Sequence, residues 1–198
     1  WALRRLKNNK SNKPSKISCE EWKAVCCIME MEDEIVRLFN FCLVDGQFID
    51  RWRFAEVISL YKKGDTTDPE NYRLVALLDT LYKIMSRIVT KRILDHAEAR
   101  MRATQFGFRE KQGCADALLS IRIILERVAI VSEFDMTRLF LDWKKAFDSI
   151  NPEILDIALT RFGVPESMLA AIRSIYSARS FSVADLNCPS RHHVQRSG

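Results

Sequence analysis

Residues 54–78 restrict most strongly how this chain can fold. FAEVISLY (54–61) alternates in polarity and carries β-branched Val57 and Ile58, so it reads as a strand. KKGDTTDPEN follows, dense in turn-forming residues, and RLVALL (73–78) reads as a second strand. The pair predicts an antiparallel hairpin with a long, basic-rimmed loop. From Asp79 or Thr80 a long helix begins, with Leu81, Ile84, Met85, Ile88 and Ile93 on its apolar face. Strands followed directly by amphipathic helix imply a mixed α+β chain.

The remaining segments are punctuated as clearly. Residues 1–8 suit a short helix, and KSNKPSK a loop. Ser18 with Glu21 three residues on makes a capping box for a helix that breaks near the acidic cluster and is stopped at Gly46. GCADALLSIRIILERV is expected to form a helix burying Leu118, Ile121, Leu125 and Val128. TRLFLDW reads as a short buried strand. Asn151 as N-cap, Pro152 in the first turn and Gly163 at the end bound another helix, and one more opens near Pro165. FSVADLN and HHVQRSG read as the strands of a closing hairpin.

Composition narrows the class further. With 198 residues, 47% of them hydrophobic, the chain can bury a core and is no disordered tail. No run of about 18 uncharged apolar residues is present, so no membrane helix is expected. The basic N-terminus lacks the apolar stretch of a signal peptide, which points to the cytoplasm or nucleus and away from secretion. A Trp1 start suggests a cut from something longer. The six cysteines are irregularly spaced and read as reduced thiols, mostly packed in helices. Cys188, His192 and His193 lack a second ligand pair at zinc spacing, so a polar loop is the better reading there. The formal charge of +5 is unevenly spread: residues 1–16 carry six cations and no acid, and residues 20–34 are strongly acidic.

Three places could carry chemistry. Asp142 sits where the apolar run FLD ends, and a carboxylate at a strand end can hold Mg²⁺. Spacing alone favours a plain turn cap. Lys62, Lys63 and Arg73 could grip a triphosphate across the hairpin, the lysines as point charges and the arginine as a fork. Spacing alone again favours a solvated turn, and the Walker pattern of a phosphate loop is absent. Lys83, Arg87 and Lys91 recur every four residues and could track a phosphate backbone, although most such stripes are simply a wet helix face.

In order and with their gaps, these segments resemble the reverse transcriptase domain of non-LTR (LINE-type) retrotransposons over nearly the whole chain. The resemblance lies in K-K-G-D (62–65), N-Y-R-x-x-x-L-L (71–78), Q-x-G-F-R (105–109) and L-D-x-x-K-A-F-D-x-I (141–150). It implies right-hand polymerase fingers over residues 1–135 and the start of an incomplete palm over 136–198. Asp142 would be a catalytic, metal-binding aspartate of a two-Mg²⁺ site. Phe147 would be a steric gate under the incoming sugar. Lys63, or Lys62 if the register differs by one, would hold the triphosphate with Arg73. Gln105, Phe106 and Gly107 would line the template side. Asp148 would stabilise its turn rather than bind metal, and Lys144 and Lys145 are as readily surface cations. The implied partners are an RNA template, a DNA primer and deoxynucleoside triphosphates.

Two departures from the family pattern follow. Lys13, Ser15 and Lys16 stand where Gly, Asp and Gly are expected, which removes residues suited to positive-φ turns. The Tyr-x-Asp-Asp motif and the thumb do not occur in these 198 residues. The expectation is therefore a fingers-and-palm fragment without polymerase activity of its own, with a non-catalytic nucleic-acid-binding module or a relic as alternatives.

Overall fold

Ser18 opens the first helix as its spacing predicts. Its Oγ accepts from the Glu21 N–H at 3.1 Å, and the Glu21 carboxylate accepts from the Ser18 N–H at 2.6 Å. The Ser18 N–H first, and then the Ser18 hydroxyl, hold the Glu21 carboxyl below its ordinary range. The computed structural model describes residues 1–10, 15–131, 136–147, 149–185, 188–190 and 192–194. Helix α1 is Cys19–Val25 and α2 is Met29–Val44. The break between them falls at 26–28, just ahead of the acidic cluster. Residues 1–8 form turns rather than the expected helix, closed by a Leu6 N–H to Leu3 C=O bond of 3.1 Å. Eight residues cannot recover the cost of nucleation through backbone bonds alone. Ala2 and Leu6 nevertheless lie buried in the core.

Strand β1 (Phe54–Tyr61) and strand β2 (Tyr72–Leu77) form the expected antiparallel hairpin, with Leu60 opposite Arg73 and Tyr61 opposite Tyr72. Helix α3 (Thr80–Ala97) starts at Asp79, whose carboxylate accepts from the Leu81 N–H at 2.9 Å. Helices α4 (Cys114–Ile130), α5 (Pro152–Arg161) and α6 (Glu166–Tyr176) follow. Asn151 caps α5 through the Glu153 N–H. Strand β3 (Ser180–Asp185) then runs parallel to β1, Phe54 beside Ser180 and Ile58 beside Ala184. Its other edge pairs antiparallel with the short strands β4 (Cys188–Pro189) and β5 (His193–Val194). The closing hairpin is thus present, but its first strand also completes a sheet of order β2-β1-β3-β4. The fold is mixed helix and sheet, and among the described residues no helix is long and apolar enough to cross a membrane.

The core gathers around Trp52. Its ring lies 6.1 Å from Phe39 of α2, 6.1 Å from Phe48 and 6.3 Å from Tyr82 of α3, at tilted or edge-on angles that suit aromatic pairs. Met85, Leu169 and Cys42 fill the space beside it and are fully buried. The buried Asp79 carboxylate faces Arg51, with Oδ2 3.6 Å from Nε, and Thr80 donates to the Ile17 carbonyl at 3.3 Å. The five described cysteines are free thiols; Cys19 and Cys42 are core-packed, whereas Cys27 and Cys114 are exposed.

Two expectations are corrected. Helix α4 forms, but its apolar face is not buried: Leu118 is 66% exposed, Ile121 is also exposed, and Leu125 and Val128 are half-buried. Residues 137–143 form no strand, and Leu139 is 79% exposed. An apolar run becomes a strand only where a neighbour takes up its N–H and C=O groups. The described strands pair with one another and leave no edge bonded to this segment.

Replacing Trp52 by Ala removes the ring on which three others converge and is expected to cost about 3–5 kcal/mol of stability, read by urea unfolding. Lys16 has φ +61°, in the left-handed region that favours glycine. Lys16→Gly is therefore expected to stabilise the fold by roughly 0.5–1 kcal/mol in the same measurement.

Candidate functional site

The tip of the β1–β2 hairpin is built by its own side chains. Tyr61 Oη donates to the Gly64 carbonyl at 2.6 Å and Tyr72 Oη to the Thr66 carbonyl at 2.9 Å. The two tyrosine rings meet edge-on at 5.6 Å. Asn71 Nδ2 donates to the Asp65 carbonyl at 2.9 Å. Gly64 has φ +100°, and a Cβ there would lie 2.7 Å from Asn71 Nδ2, so only glycine fits. The glycine of K-K-G-D and the asparagine of N-Y-R are two halves of one contact.

Charge at this tip is sorted by hydrogen bonding. Asp65 accepts from the Thr67 N–H at 2.8 Å and from its hydroxyl at 2.7 Å, which holds its carboxyl below the ordinary range. Asp68 accepts from the Glu70 N–H at 2.9 Å. These two carboxylates face the loop's own donors. Lys62, Lys63 and Arg73 are exposed, and none has a carboxylate partner among the described residues. The Lys62 N–H donates to the Asn71 carbonyl at 2.9 Å, extending the ladder by one residue. Strand alternation therefore puts Lys62 on the face that carries Leu60 and Arg73. Lys63 follows in the bend before Gly64.

The 105–109 loop is organised by an arginine that motif reading did not single out. Arg109 donates to Glu98 Oε1 at 2.6 and 3.1 Å, to the Arg102 carbonyl at 3.1 Å and to the Gln105 carbonyl at 3.3 Å. Its side chain is only 11% exposed. Gln105 Nε2 in turn reaches the Gly107 carbonyl at 3.3 Å. Gln105 and Gly107 are exposed and Phe106 is half-buried. The signal was present as the last residue of Q-x-G-F-R, but its partner Glu98 lies outside the motif.

Asp142 is exposed on the segment 136–143, which has no regular secondary structure, and not at a strand end. Phe147 follows on a turn whose bonds run from the Ser149 N–H and hydroxyl to the Lys145 carbonyl, at 3.0 and 2.9 Å. Its ring meets Phe108 edge-on, centroids 6.2 Å apart at 87°. The structure thus joins the 105–109 loop to the turn after Asp142, which sequence spacing did not suggest. Asp148 and Lys13 lie outside the described residues. Lys83 and Arg87 are half-buried with no described carboxylate partner, whereas Lys91 is ion-paired with Asp95. That hydrogen bond raises the Lys91 ammonium above its ordinary pKa. The expected three-cation stripe therefore has two uncommitted members.

The donor set for Mg²⁺ can be tested directly. Among the described residues no group of three or more His, Cys, Asp or Glu side chains could hold a metal ion. Asp142 contributes one carboxylate, whereas Mg²⁺ takes octahedral oxygen coordination. The described residues alone do not make a two-metal site. His192 stacks on Phe54 at 4.9 Å and His193 tilts against Phe181 at 5.4 Å, so both imidazoles pack on rings. The Cys188 side chain lies outside the described residues.

Comparison with known proteins converges on one class. Residues 61–198 match the family model for reverse transcriptase (RNA-dependent DNA polymerase). The RNA-directed DNA polymerase from mobile element jockey of Drosophila melanogaster is 32% identical over 152 residues, 74% of this chain and 16% of that protein. A Pol polyprotein from the type-1 retrotransposable element R1 of Bradysia coprophila is 28% identical over 75% of this chain and 15% of its own length. One from element R2 of Nasonia vitripennis is 30% identical over 73% of this chain and 14% of its own length. The chain thus spans about one sixth of the curated relatives it matches. Matching residues run from the end of β1 through the braced hairpin tip, the 105–109 loop and the Asp142–Phe147 segment, and on that basis the chain belongs to the reverse transcriptase family, as a domain fragment of the non-LTR, LINE-type class.

Proposed function

We propose that this segment serves RNA-templated DNA synthesis, residues 1–135 as mainly fingers and 136–198 as the start of the palm. The observation that carries this reading is the hairpin tip, where cations stand free while Asp65 and Asp68 are turned onto backbone donors. Such a surface suits a triphosphate: Lys62 or Lys63 offers a point charge and Arg73 a planar fork from the returning strand. Gln105, Phe106 and Gly107 face the template. Phe147 lies against the incoming sugar and rejects a 2′-hydroxyl by lack of space. Asp142 would supply one carboxylate to the Mg²⁺ that the family uses, with water and triphosphate oxygens among its other ligands. RNA template, DNA primer and deoxynucleoside triphosphates are the proposed partners.

A second reading, a non-catalytic nucleic-acid-binding module, is favoured by Lys83 and Arg87 on α3 and by the acid-free basic arm. The two readings separate by experiment. In a calorimetric titration of the 198-residue chain with a Mg²⁺–deoxynucleoside triphosphate, Lys62→Ala and Arg73→Ala are each expected to weaken binding about tenfold, the loss of one charge-assisted contact. Gly64→Ala should act in the same direction without removing a charge, because Asn71 must move. Unchanged affinity in all three variants would remove the triphosphate reading and leave the module.

Single-stranded RNA binding is expected to fall with salt, with a log–log slope of about −0.7 per phosphate contact. Lys83→Ala with Arg87→Ala should reduce the magnitude of that slope by about 1.4. Lys91→Ala should leave it nearly unchanged, since Asp95 already neutralises that ammonium. A fluorescence-anisotropy salt series checks both statements.

A further inference from the structure

Phe108 combines features that a residue serving only the fold does not have. It is 87% exposed, so its ring adds almost nothing to the core. Its backbone has φ +62°, a costly conformation for an aromatic residue, although its neighbour Gly107 could have taken a positive φ and does not. The surrounding loop over-determines that conformation: Arg109 clamps it to Glu98, Arg102 and Gln105 through four donor contacts. Backbone strain held in place by its surroundings is a recurrent property of functional positions.

The ring contact described for Phe108 is the edge-on meeting with Phe147, at 6.2 Å and 87°. Phe147 is itself 69% exposed and follows Lys145, another residue at positive φ, +51°. An exposed phenylalanine on a turn would ordinarily sample several rotamers. A ring that excludes a hydroxyl by its bulk must not yield when the hydroxyl arrives, so it needs a neighbour that fixes its rotamer.

We propose that Phe108 is a positioning residue for Phe147: the template-side loop, clamped by Arg109, holds the Phe147 ring edge-on at the sugar of the incoming nucleotide. Discrimination between deoxyribonucleoside and ribonucleoside triphosphates then depends on a residue that touches neither. This inference rests on the reading of Phe147 as the sugar gate, and it links the two sides of the site, so that a disturbed template loop loosens sugar selection.

The test is primer extension on an RNA template by the complete polymerase that contains this segment, with each deoxynucleotide competed against its ribonucleotide. Phe147→Ala should relax discrimination most strongly. Phe108→Ala and Phe108→Gly should each lower the ratio of kcat/KM values by roughly three- to tenfold, the range an aromatic pair's coupling sets. The change should come from faster ribonucleotide use. Phe108→Tyr, which keeps the ring edge, should stay within about twofold of the wild type. Phe108→Gly also relieves the positive φ, so the 198-residue chain carrying it should melt no lower than the wild type even as selection falls in the polymerase. A purely structural role would not separate those two readouts. If Phe147→Ala relaxes selection while the Phe108 variants keep the wild-type ratio, or slow both nucleotides equally, the inference is overturned and the gate reading stands. If Phe147→Ala leaves the ratio unchanged, the gate reading falls and this inference falls with it.

Discussion

Strand β1 is hydrogen-bonded on both edges, antiparallel to β2 and parallel to β3, and the rest of the architecture depends on that double pairing. The antiparallel side is local and carries the hairpin tip. The parallel side brings residues 180–184 beside residues 54–58, across more than a hundred residues of intervening chain. A parallel pair needs a long crossover, and here α3 to α6 lie within it. Trp52, immediately before β1, then places α2 and α3 against the same point through Phe39 and Tyr82. Strand and ring together turn a set of short elements into one support for the hairpin.

The candidate site follows two rules of construction. At the hairpin, order comes from side chains bonding to the loop's own backbone: Tyr61, Asp65, Asp68, Asn71 and Tyr72 all do so. That occupies the Asp65 and Asp68 carboxylates internally, and leaves Lys62, Lys63 and Arg73 without a carboxylate partner among the described residues. At the 105–109 loop, order comes from one long side chain, Arg109, anchored to the end of α3 by Glu98. This second arrangement tolerates a positive φ at Phe108 because the guanidinium fixes the carbonyls around it.

Much of the fold was legible in the sequence wherever its cause was local. The Ser18–Glu21 box, the Asp79 and Asn151 caps and both strands of the hairpin involve residues a few positions apart, and their spacing is itself the physical cause. The short N-terminal helix failed because so few residues cannot sustain helix nucleation. Leu118, Ile121 and the 137–143 run failed for a different reason: an apolar pattern states what a segment would bury but not whether a partner is there. At the site, the free cations of the hairpin could be read from the motifs. The neutralised Lys91 could be read only in part, from an acid four residues on.

The sequence by itself determined the class of the chain, the hairpin with its glycine and asparagine, the caps of three helices and the resemblance carried by four ordered motifs. Those properties rest on hydrogen bonds and sterics within short stretches, where residue type dictates the geometry. Only the tertiary structure decided that β3 joins β1, that Arg109 clamps its loop through Glu98, that Asp142 stands on an exposed segment outside any strand, and that Phe108 meets Phe147. Each of those depends on which distant surfaces come to adjoin, and adjacency across many residues is set by the packing of the whole chain rather than by any local pattern.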